Sequence, residues 1–240
     1  LVALRIKATD QLSGVIDQFS CTVRAIVPQW SGALWSEGTS RSPAWAFAEV
    51  LRGSSNARPL ADSRINLDKL LAWDASCAGG GWTFDAVLEQ ASSVWEVLGE
   101  IAATANAAVT TGNGIYSVIV DEARTTPVQL LTPRNSWGFE LTRTFARRPH
   151  ALRVRFPNVL TKHQYDELYC YEDGYDASNA TIFEALELPY TTDAAQAWKR
   201  ARRAIFAARL RPEIVSLTVD AEHLVAERGD LVYIVHDVPL

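Results

Sequence analysis

The sequence predicts an α+β fold: a small α/β unit followed by a β-rich stretch that one long helix interrupts. Three observations predict it. Residues 43–121 hold three helical patterns with start or stop signals and close on an Asn-Gly hairpin signal. From Pro127 onward, short runs alternate apolar and polar residues, the two-residue period of a half-buried strand. Residues 193–209 instead space their apolar positions by three and four, the period of a helix.

Residues 15–27, VIDQFSCTVRAIV, place Val15, Phe19, Cys21, Val23 and Ala25 on one face and Gln18, Ser20, Thr22 and Arg24 on the other. That alternation predicts a strand. The following QWSGALWSEGTSR reads as loop. Residues 42–53, SPAWAFAEVLRG, predict a helix with Ser42 as N-cap, Pro43 in the first position and Gly53 past the end. A second helix is predicted over 66–77, capped by Asn66, striped by Leu67, Leu70 and Leu71, and stopped by Gly79-Gly80-Gly81. WTFDAVL, 82–88, reads as a strand. Ser93-Val-Trp-Glu96 is a capping box, and Val94, Val97, Leu98, Ile101 and Ala105 continue a helical stripe. Asn113-Gly114 marks a hairpin turn.

After Pro127 the predicted strands are 128–131, 137–143, 151–156, 166–171 and 181–188. In ALRVRF, Leu152, Val154 and Phe156 face one way and Arg153 and Arg155 the other. The helix at 193–209 carries Ala194, Trp198, Ala201, Ile205 and Ala208 as its stripe, and Arg211-Pro212 ends it. Strands at 213–219 and 230–236 complete the reading. No internal repeat is present.

The chain has 240 residues, 48% of them hydrophobic and 21% charged, enough for one sizeable core or two smaller ones. The net charge of −5 does not favour phosphate backbones or anionic membranes. No run of 18 apolar residues offers a membrane span, and the N-terminus has no secretory signal pattern. Cys21, Cys77 and Cys170 are odd in number and lack a Cys-x-x-Cys spacing, so reduced thiols are expected rather than disulfides or a cysteine zinc site. Methionine is absent, position 1 included, and the chain stops at Leu240 just after a predicted strand. A piece of a longer polypeptide is the expectation.

Several motifs invite a chemical reading, and each has a plainer one. Arg228-Gly229-Asp230 matches an adhesion tripeptide, but Gly and Asp between two apolar runs are ordinary turn residues. Lys199, Arg200, Arg202, Arg203 and Arg209 make a basic helix that suits phosphates, yet they fit the solvent side of an amphipathic helix and sit towards its C-terminal end. Glu172, Asp173, Asp176 and Asn179 offer calcium-type oxygens without EF-hand spacing, and Asp, Gly and Asn are turn formers. His150, His163, His223 and His236 form no metal-ligand spacing. A catalytic triad leaves no local signature, so it is neither supported nor rejected. No nucleophile elbow, phosphate-binding loop or dinucleotide fingerprint occurs. Of eight tryptophans most belong in a core; Trp35 and Trp137, with Arg153 and Arg155, are the candidate interface residues, since Trp and Arg are enriched where proteins meet.

TPRNSWGF (132–139), PHALRVRF (149–156), EDGYDASNAT (172–181) and RPEIVSLTVDAEHLVAERGDLV (211–232), together with SPAWAFAEVLRG, resemble one family. It is the tail-tip or host-specificity family of long-tailed phages and prophages, the lambda J-like tail hub proteins. The resemblance runs along essentially the whole chain and rests on several long matches in order. It implies a β-barrel-like hub domain with an inserted small α/β domain: 1–42 as N-terminal strands completing the hub, 43–126 as the insertion, and 127–240 as the β-rich hub. It implies a structural, non-enzymatic role in the virion tail, without catalytic, cofactor-binding or metal residues. The implied partners are two further copies in a homotrimer and the tube and tape-measure proteins. A host receptor would be reached through regions outside this chain, and nucleic acid at most passes through the lumen. Family members continue beyond the point where this chain ends. A tail-associated cell-wall hydrolase and a tryptophan-based carbohydrate-binding module are the alternatives.

Overall fold

The computed structural model describes residues 21–88, 92–143 and 148–236. Its fold is mixed α/β, with the described strands in five separate sheets of two or three strands. β1 (Ile26–Trp30) and β2 (Trp35–Thr39) form an antiparallel hairpin where the sequence suggested loop. Its turn closes through Ser31 N–H to Leu34 O at 3.0 Å, with Gly32 at a φ of 97°. What the sequence reading missed is a cross-strand tryptophan pair. Trp30 opposes Trp35 with ring centroids 5.3 Å apart, and Trp35 meets Trp45 edge-on at 6.3 Å. Of the strand expected over 15–27, residues 15–20 lie outside the described residues, 21–25 have no regular structure, and pairing begins at Ile26.

The three expected helices form. α1 (Pro43–Arg52) starts after Ser42 with proline first, where a missing N–H costs nothing. α2 (Leu67–Gly80) is capped by Asn66, whose side chain accepts from the Lys69 N–H at 3.1 Å, and ends at Gly81 in the left-handed region. α3 (Val94–Thr104) opens on a full capping box between Ser93 and Glu96. β3 (Ala107–Gly112) and β4 (Ile115–Val120) follow, joined by Asn113 and Gly114, both at positive φ. These helices and the hairpin share one core built on Phe47, Leu51, Leu70, Trp73, Leu98, Ile101, Val109 and Val118.

The remainder holds β5 (Gln129–Leu131), β6 (Trp137–Arg143), β7 (Ala151–Asn158), β8 (Gln164–Tyr171), β9 (Phe183–Glu187), α4 (Ala194–Leu210), β10 (Glu213–Thr218) and β11 (Val232–Ile234). The three-stranded sheet runs β8-β7-β9, with β8 antiparallel and β9 parallel to β7. One face packs on α4, and Leu152, Val154, Phe156, Cys170, Leu188, Ala197, Ala201 and Ile205 make this second core. Burying a side chain such as Phe156 contributes about 1.5–3 kcal/mol, so the β7 alternation is the main term here. β6 pairs with β10, and β5 pairs in parallel with β11.

Three expectations change. Residues 82–88 form no ladder: the Phe84 N–H goes to Arg41 O at 2.9 Å and the Asp85 N–H to Tyr190 O at 3.2 Å, so the segment is a strap held from both sides. The stripe of α4 is turned. Gln196, Ala197, Ala201 and Ile205 are buried while Trp198 points outward, because small residues let the helix sit close to the sheet. No closed barrel is present among the described residues. The β6–β10 ladder has a register shift between Ser216 and Thr218 beside Gly138 at a φ of 64°, and the β5–β11 pair spans only three residues, so neither continues into the β7 sheet.

Candidate functional site

Among the described residues, three of the four residues singled out in the sequence lie on exposed sheet surfaces, those of the β8-β7-β9 sheet and the β6–β10 ribbon. Because side chains alternate along a strand, burying Leu152, Val154 and Phe156 sends Arg153 and Arg155 to the outer face of β7. Arg153 stands between Tyr169 of β8 and Ala185 of β9; Arg155 stands between Glu167 and Glu187. The Arg155 guanidinium lies 4.5 Å from the centre of the Tyr165 ring and 3.5 Å from Glu187 Oε1. No hydrogen bond or ion pair reaches Arg153 from any described residue. Tyr165 (58% exposed), Tyr169 and Phe183 surround the pair, and a depression of about 500 Å³ runs between Arg153, Arg155, Tyr165, Glu167 and Glu187.

The second surface is the β6–β10 ribbon. Every residue of it except Phe139 and Leu217 is exposed, including Trp137 (50%), Leu141, Ile214 (62%) and Val215. Trp35 sits elsewhere, on β2. Its indole N–H donates to Asp62 Oδ2 at 2.8 Å, and the Arg52 guanidinium covers its ring at 3.8 Å. The structure thus brings Arg153 and Arg155 together and places Trp35 and Trp137 on separate sheets.

The other motifs acquire local partners. In the tripeptide at 228–230, Gly229 has a φ of 98° in a turn, Asp230 accepts from the Glu227 N–H at 2.9 Å and from Arg124 at 3.0 Å, and Arg228 donates to Val109 O at 3.2 Å. The basic helix points its charge at the protein. Lys199 donates to Gly80 O, Arg200 to Thr191, Arg202 to Tyr171 O and Asp173, Arg203 to Asp121, and Arg209 to Asp173. Burial without a carboxylate beside it pulls Arg200 down to about 10. In the acidic loop, Asp176 and Asn179 bond backbone amides of the loop itself. Asp220, Glu222 and His223 gather at the surface with ligand-type atoms within 4.8 Å of one another, all three side chains exposed.

Ser136 Oγ lies 3.0 Å from His236 Nε2. The hydroxyl is buried and donates to Thr132 O at 2.7 Å, which leaves the imidazole as donor to it. That is the reverse of a general base drawing a proton from a nucleophile. His236 also stacks on Phe139 at 4.8 Å, so this contact holds the end of β11 against β6.

Sequence reasoning missed the polar clasp at Asp85. The signal was present: one carboxylate inside the otherwise apolar run WTFDAVL. Asp85 takes bonds from Arg41, Thr83 and Thr192, and the neighbouring Gln196 side chain bonds Thr83 O at 2.8 Å.

No protein-family model and no curated protein matches the chain. Two solved tail proteins are similar to it. One is the tail protein from Neisseria meningitidis MC58, 14% identical, with a TM-score of 0.49 over 69% of this chain and 56% of that one. The other is the 43 kDa tail protein of prophage MuSo2 from Shewanella oneidensis, 13% identical, with a TM-score of 0.39 over 69% of this chain and 52% of that one. The chain spans about half the length of each. No helix among the described residues is long and apolar enough to cross a membrane.

Proposed function

We propose that this chain is a structural component of a phage or prophage tail tip, part of the central hub that joins the tail tube to host-recognition modules. The observation that carries the reading is the β6–β10 ribbon. A two-stranded ribbon is marginal in water, and this one exposes Trp137, Leu141, Ile214 and Val215 along open edges. Such a ribbon finds its missing strands in a neighbouring chain. The lambda J-like resemblance of the segments that contain it supports the same conclusion. In this reading 127–240, with N-terminal strands from 1–42, closes a barrel-like wall only within a homotrimer, and 43–126 stands at its periphery. Tube and tape-measure proteins are the neighbours, DNA passes through the lumen, and receptor contact belongs to regions outside this chain. The chain works by assembly and carries out no catalysis.

An antibody raised against this chain, applied to particles released from cells that encode it, tests the reading. Label at the distal end of the tail is the expected result. Particles with no label, or label along the tube or on the head, would overturn it.

A further inference from the structure

On the outer face of the β8-β7-β9 sheet, Arg155 stands between Glu167 and Glu187, whereas Arg153 stands between Tyr169 and Ala185 with no carboxylate opposite it. Arg153 has no hydrogen-bonding or ionic partner among the described residues, and Arg155 has only the long contact to the exposed Glu187. Both cations stand in the middle strand, among exposed tyrosines and beside the small Ala185, whose short side chain leaves room for an incoming group. Tyr and Arg around a shallow depression are the residues that dominate the centres of protein interfaces. The ring face of Tyr165 is already covered by Arg155, and Tyr169 packs edge-on against Phe183 with centroids 6.0 Å apart. A flat sugar therefore finds little free ring face, whereas a carboxylate side chain finds the bare guanidinium of Arg153 with that of Arg155 two residues along the same face.

Matching carboxylates occur on the same chain. Asp220 and Glu222 follow β10, are exposed, and have His223, 4.0 Å from Glu222, as their only ionic neighbour among the described residues. Two crowded carboxylates repel until a cation approaches. We infer that copies of this chain join head to tail, Asp220 and Glu222 of one copy seating on Arg153 and Arg155 of the next. The acidic patch sits in the turn after β10 and the basic one on the β8-β7-β9 sheet; joined head to tail they make a heterologous contact, which repeats into a ring where its rotation closes. The inference rests on the assembly reading above and specifies which surfaces meet.

Sedimentation of the purified chain over a concentration series, at low and high salt, tests it. The wild-type chain is expected to self-associate, less so in high salt. Arg153→Glu with Arg155→Glu should weaken association roughly tenfold, and Asp220→Arg with Glu222→Arg should do the same. All four reversals in one chain should restore it. Circular dichroism checks that these surface variants keep their fold. A wild-type chain that stays monomeric up to its solubility limit overturns the inference, as does a four-fold reversal that fails to restore association. If association survives the arginine reversals but is lost in Trp137→Ser, the contact lies on the β6–β10 ribbon: this inference falls and the tail-tip reading stands.

Discussion

Arg41 and Asp85 close a two-pronged ion pair, Nε to Oδ1 at 2.7 Å and Nη2 to Oδ2 at 2.6 Å, across 44 residues of chain. The Thr192 hydroxyl donates to the same carboxylate at 2.7 Å, so the segment leading into α1, the strap at 82–88 and the segment leading into α4 meet at one point. Burial pushes the Asp85 carboxyl up, but the bonds from Arg41, Thr192 and Thr83 together outweigh it and hold the group below the usual carboxylate range.

The sign of the pH dependence follows. A carboxyl depressed in the folded state contributes stability above its unfolded value, near pH ~3.9, and that contribution is lost as pH falls through the lower folded value. Asp85→Asn should cost about 2 kcal/mol at neutral pH and remove that share of the acid loss. Urea unfolding at neutral and acid pH measures both. An Asn variant as stable as wild type at neutral pH removes the clasp from the account.

Phe156 on β7 and Phe183 on β9, which pairs with Ala151, belong to one sheet, yet truncation should separate them. Phe156 is buried under α4, and Phe156→Ala is expected to cost about 3–5 kcal/mol. Phe183 faces solvent on the outer side, and Phe183→Ala is expected to change stability by less than ~1 kcal/mol. Thermal melts of the two variants check the assignment of inner and outer faces.

Gly229 tests the turn reading of the tripeptide. Its φ of 98° is strained for any side chain, and a Cβ there would collide with the Ile119 side chain. Gly229→Ala should destabilise by about 1–3 kcal/mol. Adhesion of cells expressing integrins to the immobilised wild-type chain should match that to bare support; specific, tripeptide-competed adhesion would restore the recognition reading.

Trp137→Ser should leave the unfolding free energy within ~0.5 kcal/mol of wild type, since half of the indole is already in water. It should nevertheless raise solubility and reduce association of the chain, because a large exposed apolar side chain on an open ribbon is a docking or aggregation site. Light scattering at matched concentrations reads the difference.

The elements that the sequence made legible were those with local causes. Asn66, the Ser93–Glu96 box and Asn113-Gly114 act within a few residues, and their helices and hairpin formed where expected. The β7 alternation was equally plain, because a period of two admits one buried face. What escaped depended on distant partners. β1 and β2 exist because Trp30 and Trp35 pack together and against Trp45, and residues 82–88 are a strap because their acceptors belong to Arg41 and Tyr190. The outward turn of Trp198 follows from how closely α4 approaches its sheet, which apolar spacing alone does not report. At the candidate site, the outward placement of Arg153 and Arg155 could be read from the strand period; the bareness of Arg153 and the acidic cluster at 220–223 could not.

The inward-facing charge of α4 has a consequence for how the chain is made. Gly80, Thr83, Asp121, Tyr171 and Asp173 all wait for α4, which leaves the ribosome after every one of them. The first core, 44–118 with Val120 packed against it, draws its apolar packing from no described residue beyond 120 and is expected to close during synthesis. The β7 sheet is different: until residue 205 emerges, Leu152, Val154 and Phe156 have no helix over them. We expect a brief aggregation-prone interval at that stage, in which a chaperone has an apolar strand to hold. Stalled nascent chains ending before residue 194 should then resist protease over 44–118 and be cut within 151–187.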